Sequence, residues 1–218
     1  MKDFRSLEDF GSLRVSDMPR RPTPFMPGVY YHLYNRGNNR QAVFFESGNY
    51  LYFLRGVKKY VRQVAEIVAY CLMPTHYHLL VRVKTSEVSK TSEVSVVSRA
   101  MQKLLISYTK AINKRFSRVG ALFQGQFQAR PIQRYDHLLN LCIYIHANPV
   151  IDGLVTTPED WAYSNYLEWL GAREGNLVDR EFIADHFGSP TEYRTLMMEY
   201  IKTRSLPEGV RTYLQAFE

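Results

Sequence analysis

The sequence predicts an α+β fold in which an antiparallel sheet carries helices on one face and a helical extension follows. Three observations carry this. Residues 29–35, 67–72 and 75–83 are short apolar runs rich in β-branched and aromatic side chains, as strands are. Two longer stretches repeat apolar residues at steps of three and four, the helical signature. Turn-forming residues punctuate these segments in the order strand, helix, strand, strand, helix, strand.

Residues 1–27 contain Arg20-Arg21-Pro22, Pro24 and Pro27 with little periodicity, and read as an extended, flexible arm. Val29 to Asn35 alternates as a first strand and ends in the turn-like Arg36-Gly37-Asn38-Asn39-Arg40. From Gly48 to Val64, the positions Leu51, Leu54, Val57, Val61 and Val64 mark an amphipathic helix. Ile67 to Leu72 is a second strand. Pro74 separates it from a third, Thr75 to Val83, and so short a breaker predicts an antiparallel pair.

The hexamer Lys84 to Ser89 recurs identically at Lys90 to Ser95. Its period is too short for a solenoid, and it reads as a polar loop insertion without a functional role. From Val96, the positions Val97, Met101, Leu104, Leu105, Tyr108 and Ile112 form a long helix that ends near Arg118 and is stopped by Gly120. Leu122 to Ile132 sets Phe123, Phe127 and Ala129 against Gln124, Gln126 and Gln128, a fourth strand. Asp136 is placed to cap a third helix from His137 to about Asn148, which Pro149 ends. This order is that of a ferredoxin-like sheet with two helices on one face. It gives an arm at 1–27, a domain over 28–157 and a mainly helical extension over 158–218.

Composition narrows the function. No stretch approaches the roughly 18–20 apolar residues of a membrane span, and the acids Asp3, Glu8 and Asp9 exclude a secretory signal at the N-terminus. Cys71 and Cys142 lie inside apolar segments without metal-type spacing, which fits reduced thiols in a cytoplasm. The net charge of +7 is unevenly spread. Residues 1–93 carry +6, residues 94–135 hold eight basic side chains and no acid, and residues 136–218 carry −7. Ordinary surfaces mix both signs, so the acid-free segment reads as a cradle for a polyanion.

The chemistry centres on His76-Tyr77-His78. Residues i and i+2 of a strand project together, so two imidazoles can share one divalent metal. Taken alone the pattern is weak, because strand histidines are often structural. Tyr144 and Asn148, four apart, share a face of the third helix. A tyrosine beside a metal can attack phosphorus while the metal polarises a phosphoryl oxygen. Asn148 offers a carbonyl oxygen as a third ligand, and two nitrogens plus oxygens suit Mg²⁺ or Mn²⁺. Glu66 is a remoter candidate ligand. His146 lies about 200° around the helix from Tyr144 and reads as structural, while His32 and His186, without spaced partners, read as surface or packing residues.

Met73 to Leu80, together with Tyr144 to Val150, resembles the HUH single-tyrosine transposases of the insertion-sequence type. The REP-associated tyrosine transposases are the closer match, through Asn35 to Gln41, Leu122 to Phe127, Asn148-Pro149-Val150 and Gly153-Leu154-Val155. Trp161 to Tyr166 is a loose version of that family's aromatic-serine element, and the resemblance covers roughly residues 24–170. It implies an enzyme that cuts single-stranded DNA beside hairpins, forms a 5′-phosphotyrosine and releases a 3′-OH. Carried over residue by residue, His76 and His78 are the metal ligands, Tyr144 is the nucleophile and Asn148 is the third ligand. Gln126 and Gln128 stand where basic residues are expected, and Ile151-Asp152 where a basic-small pair is common.

For DNA contact the candidates are Arg36, Asn38, Asn39 and Arg40 in the first turn, Arg99, Lys103, Lys110, Lys114, Arg115 and Arg118 on the second helix, and Arg130 on the fourth strand. The expected protein is cytoplasmic, nucleoid-associated when bound to DNA, and a monomer or homodimer. The Tyr144 helix can serve its own subunit or a partner. Two rival functions stand beside this one: a catalytically silent hairpin-binding descendant, and a metal-dependent phosphodiesterase that uses water instead of tyrosine.

Overall fold

Alternation along the strands requires both faces of this sheet to be covered. Tyr31, Leu33, Tyr70, Leu72, Tyr77, Leu79 and Val81 join one buried cluster, whereas Ala69, Cys71, Met73 and Leu80 join another. The computed structural model describes residues 25–85, 93–177, 179–208 and 211–212. Most of the arm expected at 1–27 and most of the duplicated hexamers at 84–95 lie outside the described residues.

The elements run β1 (Tyr30–Arg36), α1 (Ser47–Gly56), β2 (Ala65–Met73), β3 (His76–Val83), α2 (Glu93–Arg115), β4 (Gln128–Pro131) and α3 (Tyr135–Ile151). The short α4 (Tyr166–Trp169), then α5 (Arg180–Phe187) and α6 (Pro190–Thr203), follow. The sheet order is β2-β3-β1-β4 with every pair antiparallel, the ferredoxin-like arrangement. Phe53 of α1 and Met101, Leu104 and Tyr108 of α2 cover the first face. The helix α3 covers the opposite face with Leu141, Cys142 and Ile145, backed by Trp169, Tyr193 and Met197 of the extension.

Several boundaries differ from the sequence expectation for physical reasons. The first helix does not continue regularly to Val64; α1 gives way at Gly56 to a wider turn over Val57–Val61, closed by the Arg62 amide donating to the Val57 carbonyl. A side chain at Gly56 would meet Leu104 at 2.4 Å, so this glycine lets α1 and α2 close up. Only Gln128–Pro131 of the stretch 122–132 is a strand. The alternating phenylalanines before it belong to a loop, turned by Gly125 at φ 75°, that buries Phe123 and Phe127 under the α1–α2 layer. Asp136 is not the cap of α3, because Arg134 holds that position and Asp136 lies in the first turn, bonded to Arg134. Pro149 does not end α3 either; it sits in the last turn, and the Asp152 amide closes that turn on the Asn148 carbonyl.

A register shift in β2 between Ile67 and Ala69 turns Val68 and Ala69 both toward α3. The Val68 carbonyl then accepts from the Asn165 amide at 2.9 Å and the Trp169 indole at 3.1 Å. Tyr163 and Asn165 pair with Leu72 and Tyr70, so the segment after α3 covers the β2 edge that would otherwise present open backbone groups.

At the far end of β1, Gly37 donates its amide to the Thr75 carbonyl at 2.7 Å, just before β3. The following turn closes with the Arg40 amide on the Gly37 carbonyl, and Asn39 and Arg40 take left-handed φ of 53° and 57°. A Cβ on Gly37 would lie 1.9 Å from the Gln41 carbonyl oxygen, a backbone atom that cannot swing away. Gly37→Ala is expected to open this turn and cost about 1–3 kcal/mol, the usual range for overpacking. Urea denaturation measures this, and unchanged stability would show the turn to be free to relax.

Candidate active site

Strand β3 presents His76 and His78 on the face that α3 covers. Opposite them in register on β1 stand Arg36 and Tyr34, and β4 sets Gln128 against Tyr34 and Arg130 against His32. Lying across this face, α3 brings Tyr144 and Asn148 over the histidines, and together these residues line a cleft of about 750 Å³. The His76 and His78 rings are 5.0 Å apart at 85°, and the Tyr144 ring meets His78 edge-on at 5.8 Å.

Hydrogen bonding fixes which ring nitrogens face the cleft. His78 Nδ1 is 2.8 Å from Nε2 of His32, and His76 Nδ1 is 3.0 Å from the Thr75 hydroxyl. The Nε2 of each remains. That of His78 is buried with no hydrogen-bond partner among the described residues, a cost of about 1–3 kcal/mol unless something satisfies it. Asn148 is buried and its Nδ2 donates to the Tyr144 carbonyl at 2.9 Å, so Oδ1 is the atom it has left for the cleft.

Burial keeps the imidazoles neutral, the form that ligates metal. Burial, with Arg36 nearby, pushes His76 down to about 4. Burial followed by the neighbouring His76 and His32 holds His78 well below the ordinary value. Burial, then Arg130, takes His32 to about 3. An orphaned imidazole nitrogen, a second imidazole and an amide oxygen lining one cleft fit a divalent cation. Among the described residues no cluster of three His, Cys, Asp or Glu side chains stands ready for a metal.

The other expected residues divide. Arg36, Arg40 and Arg130 line the cleft, Arg36 with its Nε donating to Gln124 at 2.6 Å. Asn38 and Asn39 are exposed in the adjoining turn and do not line it. Arg99, Lys103, Lys110 and Lys114 are carried by α2, which packs on the opposite face of the sheet. Arg115 pairs with Glu46 at 3.3 Å, and Arg118 lies over the Phe45 ring. The acid-free segment is therefore split across the sheet, and only its Arg130 borders the histidines. Glu66 faces Arg82 at the other end of the β2–β3 hairpin, six residues and about 20 Å from His76. His146 is structural, joined to Tyr193 at 2.7 Å and Asn165 at 2.8 Å.

Sequence reasoning missed His32, Tyr34 and Asp152. His32 is neither a surface residue nor mere packing: it is fully buried and bonded to His78. The spacing His32-x-Tyr34-x-Arg36 puts all three on one face of β1, but the register that sets that face beside His76 and His78 is not written in either strand alone.

A family model for IS200-like transposases matches residues 26–148. A provisionally named REP-associated tyrosine transposase of Haemophilus influenzae is 28% identical over 103 residues, which are 46% of this chain and 58% of that protein. The chain thus spans little more than half the length of that curated relative. The structure of a REP-associated tyrosine transposase bound to a REP hairpin superposes with a TM-score of 0.52 at 20% identity, over 76% of this chain and 94% of the other. That likeness shows a shared fold. Among the described residues no helix is long and apolar enough to cross a membrane.

The depressed histidines make stability depend on pH. Unfolded histidines protonate near 6.5, whereas His32 and His146 do so at about 3 and about 4 in the fold, both through burial. Between those values the unfolded chain holds more protons, so stability rises with pH and falls on acidification. Going from pH 7 to pH 5 is expected to remove about 2 kcal/mol for each of these two buried rings. Equal urea midpoints at the two pH values would contradict their neutrality.

Proposed function

The chain belongs to the IS200-like transposase family, and on that premise we propose that it is a REP-associated tyrosine transposase, nicking and rejoining single-stranded DNA at REP-like hairpins through a covalent link to Tyr144. One observation carries the reading: the Tyr144 ring sits 5.8 Å from that of His78, whose buried Nε2 has no hydrogen-bond partner among the described residues, in a cleft bordered by arginines. The names of the relatives agree with it, and Tyr144 lines the same cleft as Arg36, Arg40 and Arg130.

In this mechanism Arg36 and Arg130 draw phosphates into the cleft, as guanidinium groups do. Helix α3, buried along most of its length, holds the phenol against His78 and limits its freedom before attack. A free phenol has a pKa near 10, so only about one in a thousand is ionised at neutral pH. His76 Nε2, His78 Nε2 and Asn148 Oδ1 would hold a divalent ion, Mg²⁺ or Mn²⁺, whose positive charge would polarise a phosphoryl oxygen. The Tyr144 oxygen loses its proton to solvent and bonds to phosphorus. The bond from phosphorus to the 3′ oxygen breaks, and that oxygen leaves with the electron pair and takes up a proton. One proton is released and one consumed. The products are a 5′-phosphotyrosine and a 3′-OH, and attack by a 3′-OH on the phosphotyrosine reverses the steps and joins strands.

Tyr144→Phe should abolish a denaturation-resistant adduct with a hairpin oligonucleotide while leaving hairpin binding intact. EDTA should abolish the adduct of the unaltered protein, with Mn²⁺ restoring it. Tyr34→Phe, which alters another phenol of the cleft, should still form it. An adduct surviving in the Tyr144 variant would move the nucleophile elsewhere, and one formed in excess chelator would remove the metal from the reaction.

Charge placement gives a second test. Each phosphate contact contributes a salt slope of about −0.7 for a single strand. Replacing Arg36 and Arg130 by Ala should flatten the slope by about 1.4, whereas replacing Lys103 and Lys110 on the far layer should leave it unchanged. Equal changes in the two variants would mean that DNA also tracks along α2.

A further inference from the structure

We infer that His32 is a positioning residue that fixes the tautomer and orientation of the His78 imidazole, so that His78 presents an unprotonated Nε2 to the metal. The inference rests on the metal site proposed above. His32 and Leu80 face each other across β1 and β3, which makes His32 the diagonal neighbour of His78 on the same face. The two ring planes lie within 20° of parallel with centroids 5.0 Å apart. His32 Nε2 and His78 Nδ1 are 2.8 Å apart, and both residues are buried.

One proton must lie between those nitrogens. With none, two lone pairs would face each other. With two, one buried ring would carry a positive charge that burial opposes. If His32 donates, His78 accepts at Nδ1, and its own proton then sits on Nε2, where it blocks ligation. If His78 donates from Nδ1, its Nε2 keeps a lone pair aimed at the cleft, and the proton of His32 is on Nδ1. Only the second arrangement makes a ligand of His78.

Metal-bound histidines usually donate their other ring N–H to a carboxylate, a carbonyl or water. Here the acceptor is an uncharged imidazole. It fixes the tautomer without adding a negative charge to a cleft that must admit phosphate, where a carboxylate would repel the substrate.

The test is Mn²⁺ binding by the metal-free, full-length protein, followed by calorimetry. His32→Phe fills the space without an acceptor and should weaken Mn²⁺ binding by about 10–100-fold. His32→Gln, whose side-chain oxygen accepts from Nδ1–H, should restore most of it. Hairpin binding in EDTA should be unaltered in both. If His32→Phe binds Mn²⁺ like the unaltered protein while His78→Ala does not, the inference is overturned and the metal site stands. If His78→Ala also binds normally, the metal site itself fails. Equal losses in the Phe and Gln variants would reduce His32 to packing and overturn the inference. Imidazole ¹⁵N shifts of the unaltered, metal-free protein give an answer that depends on no variant: His78 should be protonated at Nδ1 and bare at Nε2, and the reverse pattern would overturn the assignment.

Discussion

Side chains alternate across a strand, so His76 and His78 can face α3 only if Tyr77, Leu79 and Val81 face α1 and α2. The burial of those three apolar residues therefore directs the imidazoles. The same coupling holds in β1, where Tyr31 and Leu33 enter the first core and turn His32, Tyr34 and Arg36 to the other side. A slip of one residue in either strand would exchange core for site, at a cost of several buried large side chains. The chemistry is thus anchored by a hydrophobic layer that it never touches.

The second layer must then bring a tyrosine to the histidines and hold it there. Helix α3 is buried on nearly all sides from Leu141 to Pro149, sandwiched between the sheet and the extension. Its polar groups are satisfied locally: His146 bonds Tyr193 of α6 and Asn165 of the edge segment, and Asn165 in turn bonds the Tyr70 amide of β2. Helix, sheet edge and extension are joined by one buried network. Such a network specifies a single arrangement because breaking any member strands the others. The aromatic segment from Trp161 to Tyr166 also covers the β2 edge, which keeps a long apolar strand from pairing with another chain.

Charge is distributed in the same economical way. The imidazoles of the cleft are neutral because they are buried, and the arginines that border it come from three separate places, the end of β1, the turn after it, and β4. The basic side chains of α2 face outward on the other layer, where Arg115 meets Glu46. A run of basic residues in sequence is thus not one surface in space.

The sequence by itself determined the sheet, the two helices of its first layer and the pairing of His76 with His78 and of Tyr144 with Asn148 on shared faces. Apolar residues at a period of two or near 3.6 report burial directly, and His76-x-His78 and Tyr144-x-x-x-Asn148 each lie within one element, where spacing alone fixes a shared face. It could not separate an alternating loop from a strand at 122–127, because burying Phe123 and Phe127 produces the same pattern in either. Nor could it end α3 correctly, since a proline in the last turn sacrifices only one backbone bond. Only the tertiary structure decided that α3 lies across the face opposite α1 and α2, that the α2 cations are remote from the cleft, and that His32 joins His78. Those facts depend on strand register and layer packing, which bring together residues as far apart as Val68 and Trp169, 101 positions along the chain, and are set by the whole core at once.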